Sequence, residues 1–221
     1  MYKVNELFET IQGEGSFTGC PAIFIRLQGC PVGCSWCDTK HTWTVDPAQQ
    51  IPVQDVLAKT TDTEGWCNLS AAEVLAEFQR QGYRARHVVI TGGEPCLFDL
   101  NPLCTLLHQQ GYSTQIETSG TFEILAPSET WVTVSPKVNM KGGYEVLDSA
   151  LLRANEIKHP VARERDIEEL QQLLQRVPAS GRLVYLQPIS QKAKATRLAI
   201  EQCKQHNWRL SVQVHKYLGI N

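Results

Sequence analysis

These 221 residues contain no apolar run approaching the ~20 needed for a membrane-spanning helix, so a helical membrane protein is excluded. Charge of one sign is lacking too. With 21 Lys and Arg against 23 Asp and Glu, the net charge is −2, and there is no global basic surface to suit nucleic acid. The first residues, Met1-Tyr2-Lys3-Val4-Asn5-Glu6, have no apolar core of a secretory signal, and neither repeats nor low-complexity tracts occur. Cysteine is not scarce, at eight, yet Cys20, Cys67, Cys96, Cys104 and Cys203 are scattered, and a chain this long needs no disulfide staples. The expectation is one domain, residues 1–221, in a reducing cytoplasm.

The other three cysteines carry the strongest signal. Gly29-Cys30-Pro31-Val32-Gly33-Cys34-Ser35-Trp36-Cys37-Asp38 spaces them C-x3-C-x2-C, just past a strand-like stretch at 21–27. The loop beyond a strand's carboxyl end is where α/β proteins usually place chemistry. Four thiols would complete a tetrahedral zinc or a fully ligated iron–sulfur cluster, whereas three leave one metal position open to a reacting molecule. From the loop alone two other readings stand. Cys34 and Cys37 form a dithiol redox pair, with Cys30 superfluous, or Cys30, Cys34, Cys37 and His41 hold zinc in a non-catalytic interaction module.

Turn and period signals outline the rest. Residues 6–19 alternate into a glycine turn, which predicts an N-terminal hairpin, and 45–68 reads as a polar insertion with a weak helical pattern at Val53, Val56 and Leu57. Ser70 and Glu73 form a capping box for a helix that Gly82 ends. Strands are predicted at 86–91, 113–117, 131–134, 156–159, 182–187 and 209–214, with helices at 102–110, 167–176 and 193–206 between them. This alternation argues for parallel α/β pairing, in a partial β/α barrel open on one side or in a doubly wound sheet.

Further motifs lie in order along the chain: Gln12-Gly13-Glu14-Gly15, Cys37-Asp38-Thr39-Lys40, Thr91-Gly92-Gly93-Glu94-Pro95, Glu117-Thr118-Ser119-Gly120, Ser135-Pro136-Lys137, Gln187-Pro188-Ile189-Ser190 and His215-Lys216-Tyr217. The set resembles the 7-carboxy-7-deazaguanine synthase family of radical S-adenosylmethionine (SAM) enzymes over essentially the whole chain. The resemblance implies a truncated radical SAM barrel with one [4Fe–4S] cluster on Cys30, Cys34 and Cys37, together with SAM and Mg2+. It implies a C–N lyase of queuosine and 7-deazapurine biosynthesis. Such an enzyme contracts the ring of 6-carboxy-5,6,7,8-tetrahydropterin to 7-carboxy-7-deazaguanine with loss of ammonia, after a 5′-deoxyadenosyl radical takes hydrogen from C6. A glycyl-radical activase shares the cysteine spacing but should lack the flanks at Gln12–Gly15 and Asp38–Thr39.

By the same resemblance Trp36, Asp38, Gly93, Ser135, Pro136, Lys137, Gln187, Pro188, Ile189 and Ser190 line the SAM site, with Trp36 either beside the adenine or shielding the cluster. Thr39 is the implied Mg2+ ligand. A lone hydroxyl is a weak ligand for an ion that prefers octahedral oxygen, so the substrate must complete that site. Ile11, Gln12, Gly13, Arg26, Thr91, His215 and Asn221 are implied substrate contacts, with the fork of Arg26 matched to the substrate carboxylate. Whether Glu14, next to the pterin-edge segment, contacts ligand is open; Glu94 is open between ligand contact and pairing with a neighbouring cation, and His87, His159 and His206 are expected to be structural. A flavodoxin or ferredoxin as electron donor and a homodimer are the implied partners, with no nucleic acid and no membrane.

Overall fold

The short hairpin expected within 6–19, ahead of the strand at 21–27, is instead one long strand, β1 (Tyr2–Ile11), which pairs with that strand itself, β2 (Pro21–Leu27), antiparallel from Val4↔Leu27 to Ile11↔Pro21, with an irregular register between Val4 and Glu6. The computed structural model describes residues 1–178 and 181–220, so Asn221 lies outside the described residues. From β2 onward the pairing is parallel, through β4 (His87–Gly92), β5 (Ser113–Thr118), β6 (Trp131–Val134), β7 (Glu156–Val161), β8 (Leu183–Pro188) and β9 (Arg209–Leu210). A short strand, β3 (Cys67–Leu69), pairs antiparallel with the free edge of β1.

The sheet order is β3-β1-β2-β4-β5-β6-β7-β8-β9. It never reverses after β2, so the switch point of a doubly wound sheet is missing and the architecture is a singly wound, partial β/α barrel. The helices are α1 (Val53–Leu57), α2 (Ala71–Gln81), α3 (Asn101–Gln109), α4 (Asp148–Arg153), α5 (Glu164–Gln175), α6 (Ala193–His206) and α7 (Val214–Leu218). On one sheet face Ile23, Ile25, Val88, Ile90 and Ile116 are buried with Val74 and Phe78 of α2 and Leu103 and Leu107 of α3. A second cluster continues it, from Val132, Val134, Ile157 and Leu186 to Leu151, Ile167, Leu170 and Ala199. Because side chains alternate along a strand, the opposite face falls to Gln115, Glu117, Thr133, Glu156, Lys158 and Gln187, and the barrel interior is polar.

Two further expectations change. The strand predicted at 209–214 is only Arg209–Leu210, because Ser211 still bonds Leu186 O at 2.9 Å before the chain turns to set Val214 N on Gly13 O at 3.0 Å. The 45–68 insertion is more built than its polarity suggests. It contains α1 and most of β3, and its Trp66 is buried with Nε1 donating to Asp46 O at 3.1 Å. Among the described residues no helix is long and apolar enough to cross a membrane.

Candidate active site

The segments that follow β2, β4, β6, β8 and β9 lie at one end of the barrel, and the cysteine loop is tied into that end by its backbone. Gly29 N bonds Thr42 O at 2.7 Å and Cys30 N bonds Trp43 O at 3.0 Å, which closes the loop at its root. The turn after β4 docks on the same root, with Gly93 N on Leu27 O and Glu94 N on Gly29 O, both at 2.8 Å. A Cβ at position 93 would overlap the Gly29 carbonyl, so only glycine fits this close approach. Inside the loop Cys37 N bonds Cys34 O at 3.2 Å, and Thr39 Oγ1 donates to Gly92 O at 3.4 Å while lying 3.6 Å from Cys37 Sγ. Trp36 is 44% exposed, so it does not seal the thiols from water.

Glu94 is buried and among the described residues meets no cation. Its carboxylate accepts from Cys96 N at 3.0 Å, Thr118 Oγ1 at 2.6 Å and Ser119 N at 2.9 Å, and from the Ser119 hydroxyl. The Glu117-Thr118-Ser119-Gly120 motif thus serves to pin the Gly-Gly turn to the end of β5. After β6, Lys137 Nζ donates to Ser135 Oγ at 2.6 Å; burial lowers the pKa of Lys137, and the Cys34 thiol opposes that shift. Past β8, Ser190 is left-handed at φ 54, and the Gln187 amide is used on both sides, accepting from Ser211 Oγ at 3.0 Å and donating to Glu14 Oε1 at 3.4 Å.

The residues expected at the substrate fall into two groups. Gln12, Gly13 and His215 come together: His215 packs so closely on Gly13 that a Cβ there would strike its ring, and Gln12 Nε2 donates to Glu117 Oε1 at 3.1 Å. Glu14 beside them is paired with buried Lys158 at 2.5 Å and accepts from Gln213 Nε2 at 2.8 Å. Burial alone would raise the Glu14 carboxyl, but Lys158 holds it down to about 2. Arg26 and Thr91 form the other group, as register partners on β2 and β4. The guanidinium is not wholly free, because its Nε donates to Glu6.

The Radical SAM superfamily matches residues 24–182. A 7-carboxy-7-deazaguanine synthase of Escherichia coli (strain K12) is 61% identical over 220 residues, covering 99% of each chain. Another, from Buchnera aphidicola subsp. Schizaphis graminum (strain Sg), is 46% identical with the same coverage. The crystal structure of QueE from Escherichia coli superposes with a TM-score of 0.95 at 61% identity, over 97% of this chain and 94% of that one. The chain belongs to the 7-carboxy-7-deazaguanine synthase family of radical SAM enzymes.

That family implies a [4Fe–4S] cluster and SAM, and the thiols fit a cluster better than zinc. All three are free, and with His41 they do not gather within 4.8 Å of one another as one ligand set. A single tetrahedral zinc would draw its sulfurs to about 3.8 Å apart, whereas a cubane offers each thiolate its own iron. His41 instead faces Glu6 at 3.6 Å and Asp62 at 3.8 Å, which removes the fourth zinc ligand. Burial pushes the Cys30 thiol up to about 11 and raises Cys34, so metal must displace protons here. Sequence reasoning missed Trp43, whose Nε1 donates to Cys37 Sγ at 3.4 Å. Such bonds tune cluster sulfur, but a tryptophan six residues past a cysteine carries no pattern that would reveal one.

Proposed function

We propose that this chain converts 6-carboxy-5,6,7,8-tetrahydropterin to 7-carboxy-7-deazaguanine and ammonia, as a radical SAM lyase of queuosine and 7-deazapurine biosynthesis. The observation that carries the reading is the cysteine loop with the Gly92-Gly93 turn docked on its root, in a chain 61% identical end to end to a 7-carboxy-7-deazaguanine synthase. Cys30, Cys34 and Cys37 would hold the cluster, which with SAM supplies the radical that takes the C6 hydrogen.

The chain's own part is placement. Gly93 offers open backbone to the SAM ammonium, and Asp38, Ser135, Pro136 and Lys137 flank the same strand ends, with the Trp36 backbone nearer the adenine than its ring. Pro188, Ile189 and Ser190 line the far side, beside Gln187. Ile11, Gln12 and Gly13 present backbone donors and acceptors to the pterin edge under His215, and Thr91 and Arg26 take the carboxylate end. Thr39 contributes one oxygen to a Mg2+ that arrives with substrate. No side chain need act as acid or base if the radical is generated beside one hydrogen and shielded from others. A cytoplasmic homodimer reduced by a flavodoxin or ferredoxin completes the reading.

Anaerobic enzyme incubated with SAM, reductant, Mg2+ and 6-carboxy-5,6,7,8-tetrahydropterin is expected to yield 7-carboxy-7-deazaguanine, with SAM recovered. Cys34→Ala should abolish both the iron and the product. If the intact enzyme releases 5′-deoxyadenosine in proportion to SAM and no deazaguanine, the substrate assignment fails.

A further inference from the structure

We propose that Glu6 is a positioning residue for the substrate carboxylate: by holding the Nε edge of Arg26, it turns the two Nη groups toward the carboxylate on C6 of the pterin. The inference rests on the assignment of Arg26 to that carboxylate and adds what orients it.

A guanidinium can bind a carboxylate through two edges, one shared by Nε and one Nη, the other by both Nη groups. Glu6 and Arg26 are cross-strand partners on β1 and β2, next to the irregular register at Val4 and Glu6. The Arg26 Nε donates to Glu6 Oε2, and among the described residues no acceptor lies on Nη1 or Nη2. The side-on edge is therefore taken and the end-on edge is open. The plane is restrained as well, since the guanidinium carbon lies 5.9 Å from the centroid of Phe8, which is stacked on Phe24 at 5.5 Å. On its other flank Arg26 is in register with Thr91, one residue before Gly92. An isolated Arg–Glu pair between strands is ordinary. This one is inside the barrel, nearly buried at 18% and 14% side-chain exposure, and has one face of the cation left over.

Glu6 has a second neighbour on its other side. Its second oxygen faces His41 Nε2 at 3.6 Å, on the segment that closes the cysteine loop. Burial would raise the Glu6 carboxyl, but His41 and Arg26 bring it down to about 2, so it stays an acceptor at working pH. Lys59, held on Asn5 O at 2.8 Å and close enough to Glu6 to feel its charge, limits the repulsion that a second anion would meet.

The test compares Glu6→Ala, Glu6→Gln and Arg26→Met in reconstituted enzyme, measuring KM and kcat for 6-carboxy-5,6,7,8-tetrahydropterin and iron per chain. Tetrahydropterin lacking the carboxylate serves as a competitive inhibitor. Glu6→Ala should raise KM roughly tenfold, as expected for loss of an oriented charge-assisted contact, with kcat changed less. Glu6→Gln still accepts from Nε and should restore KM to within about threefold of the parent enzyme. The inhibitor without a carboxylate should bind all three alike. Glu6→Ala with unchanged KM, in enzyme where Arg26→Met raises it, overturns the proposal and leaves the carboxylate site standing. Equal damage from Glu6→Ala and Glu6→Gln overturns it too, since charge and not orientation would then matter. An unchanged KM in Arg26→Met removes the carboxylate site itself. If Glu6→Ala does not hold iron, Glu6→Gln against Glu6→Met decides by the same KM comparison.

Discussion

His159 lies on β7, 3% exposed, and among the described residues its buried Nδ1 has no hydrogen-bond partner. Burial, reinforced by the Lys137 charge, lowers its pKa from 6.5 to about 4. The unfolded chain takes up this proton below pH 6.5 and the folded chain refuses it until about pH 4. Stability from this residue is therefore full above pH 6.5 and drains as pH falls toward 4, by up to about 3 kcal/mol. Glu6 and Glu14, both held down to about 2, act in a lower window, from their usual 4.5 downward. Urea midpoints measured from pH 7 to 4.5 should fall less in His159→Gln than in the parent chain, and identical slopes would refute the assignment. A structural role for this histidine was the expectation from sequence, as for any lone histidine. Its environment was not legible there, because Lys137 is 22 positions away and meets it only across β6 and β7.

At the level of elements, local chemistry was the most legible. Ser70 accepts from Glu73 N at 3.3 Å, the Glu73 carboxylate accepts from Ser70 N at 2.7 Å, and Gly82 ends α2 in a left-handed turn at φ 69. Every part of that helix is specified within a dozen residues. Ser70→Ala should cost about 1 kcal/mol of stability, read from the urea midpoint at constant m-value. A loss below about 0.3 kcal/mol would mean that packing of Val74 and Phe78 alone sets the start of the helix. Some short elements with no local signal of their own escaped. α4 is too short for a helical period to show, and β3 is a strand only because β1 offers an open edge. The stretch at 209–214 has strand propensity throughout but pairs over two residues, since the chain must turn to reach Gly13.

On the scale of the molecule, the turn between β1 and β2 folds into the barrel and bridges strands that do not pair with one another. Gly15 N bonds Ser211 Oγ at 3.2 Å, Ser16 N bonds Glu156 at 2.9 Å, and Glu14 meets Lys158, which also reaches Glu117 at 3.2 Å. Lys158→Met would leave the partly buried carboxylates of Glu14 and Glu117 without their cation, a loss expected at up to about 3 kcal/mol, the low end for a fully buried pair. The double variant with Glu14→Gln should recover part of it, and a single variant within about 1 kcal/mol of the parent would show that water already screens the pair. The sequence alone determined the family and its chemistry, because the Cys30–Cys37 spacing and the turn residues after each strand are local requirements of backbone and ligand. It also determined the α/β class, through hydrophobic period. Hydrophobic period left a barrel and a doubly wound sheet open and the family resemblance favoured the barrel; the tertiary structure supplied the strand order, which leaves no trace in period. It alone paired Glu6 with Arg26, seated Glu94 among hydroxyls and sent His41 away from the thiols, because a charged side chain is satisfied by neighbours that chain folding, not sequence distance, supplies.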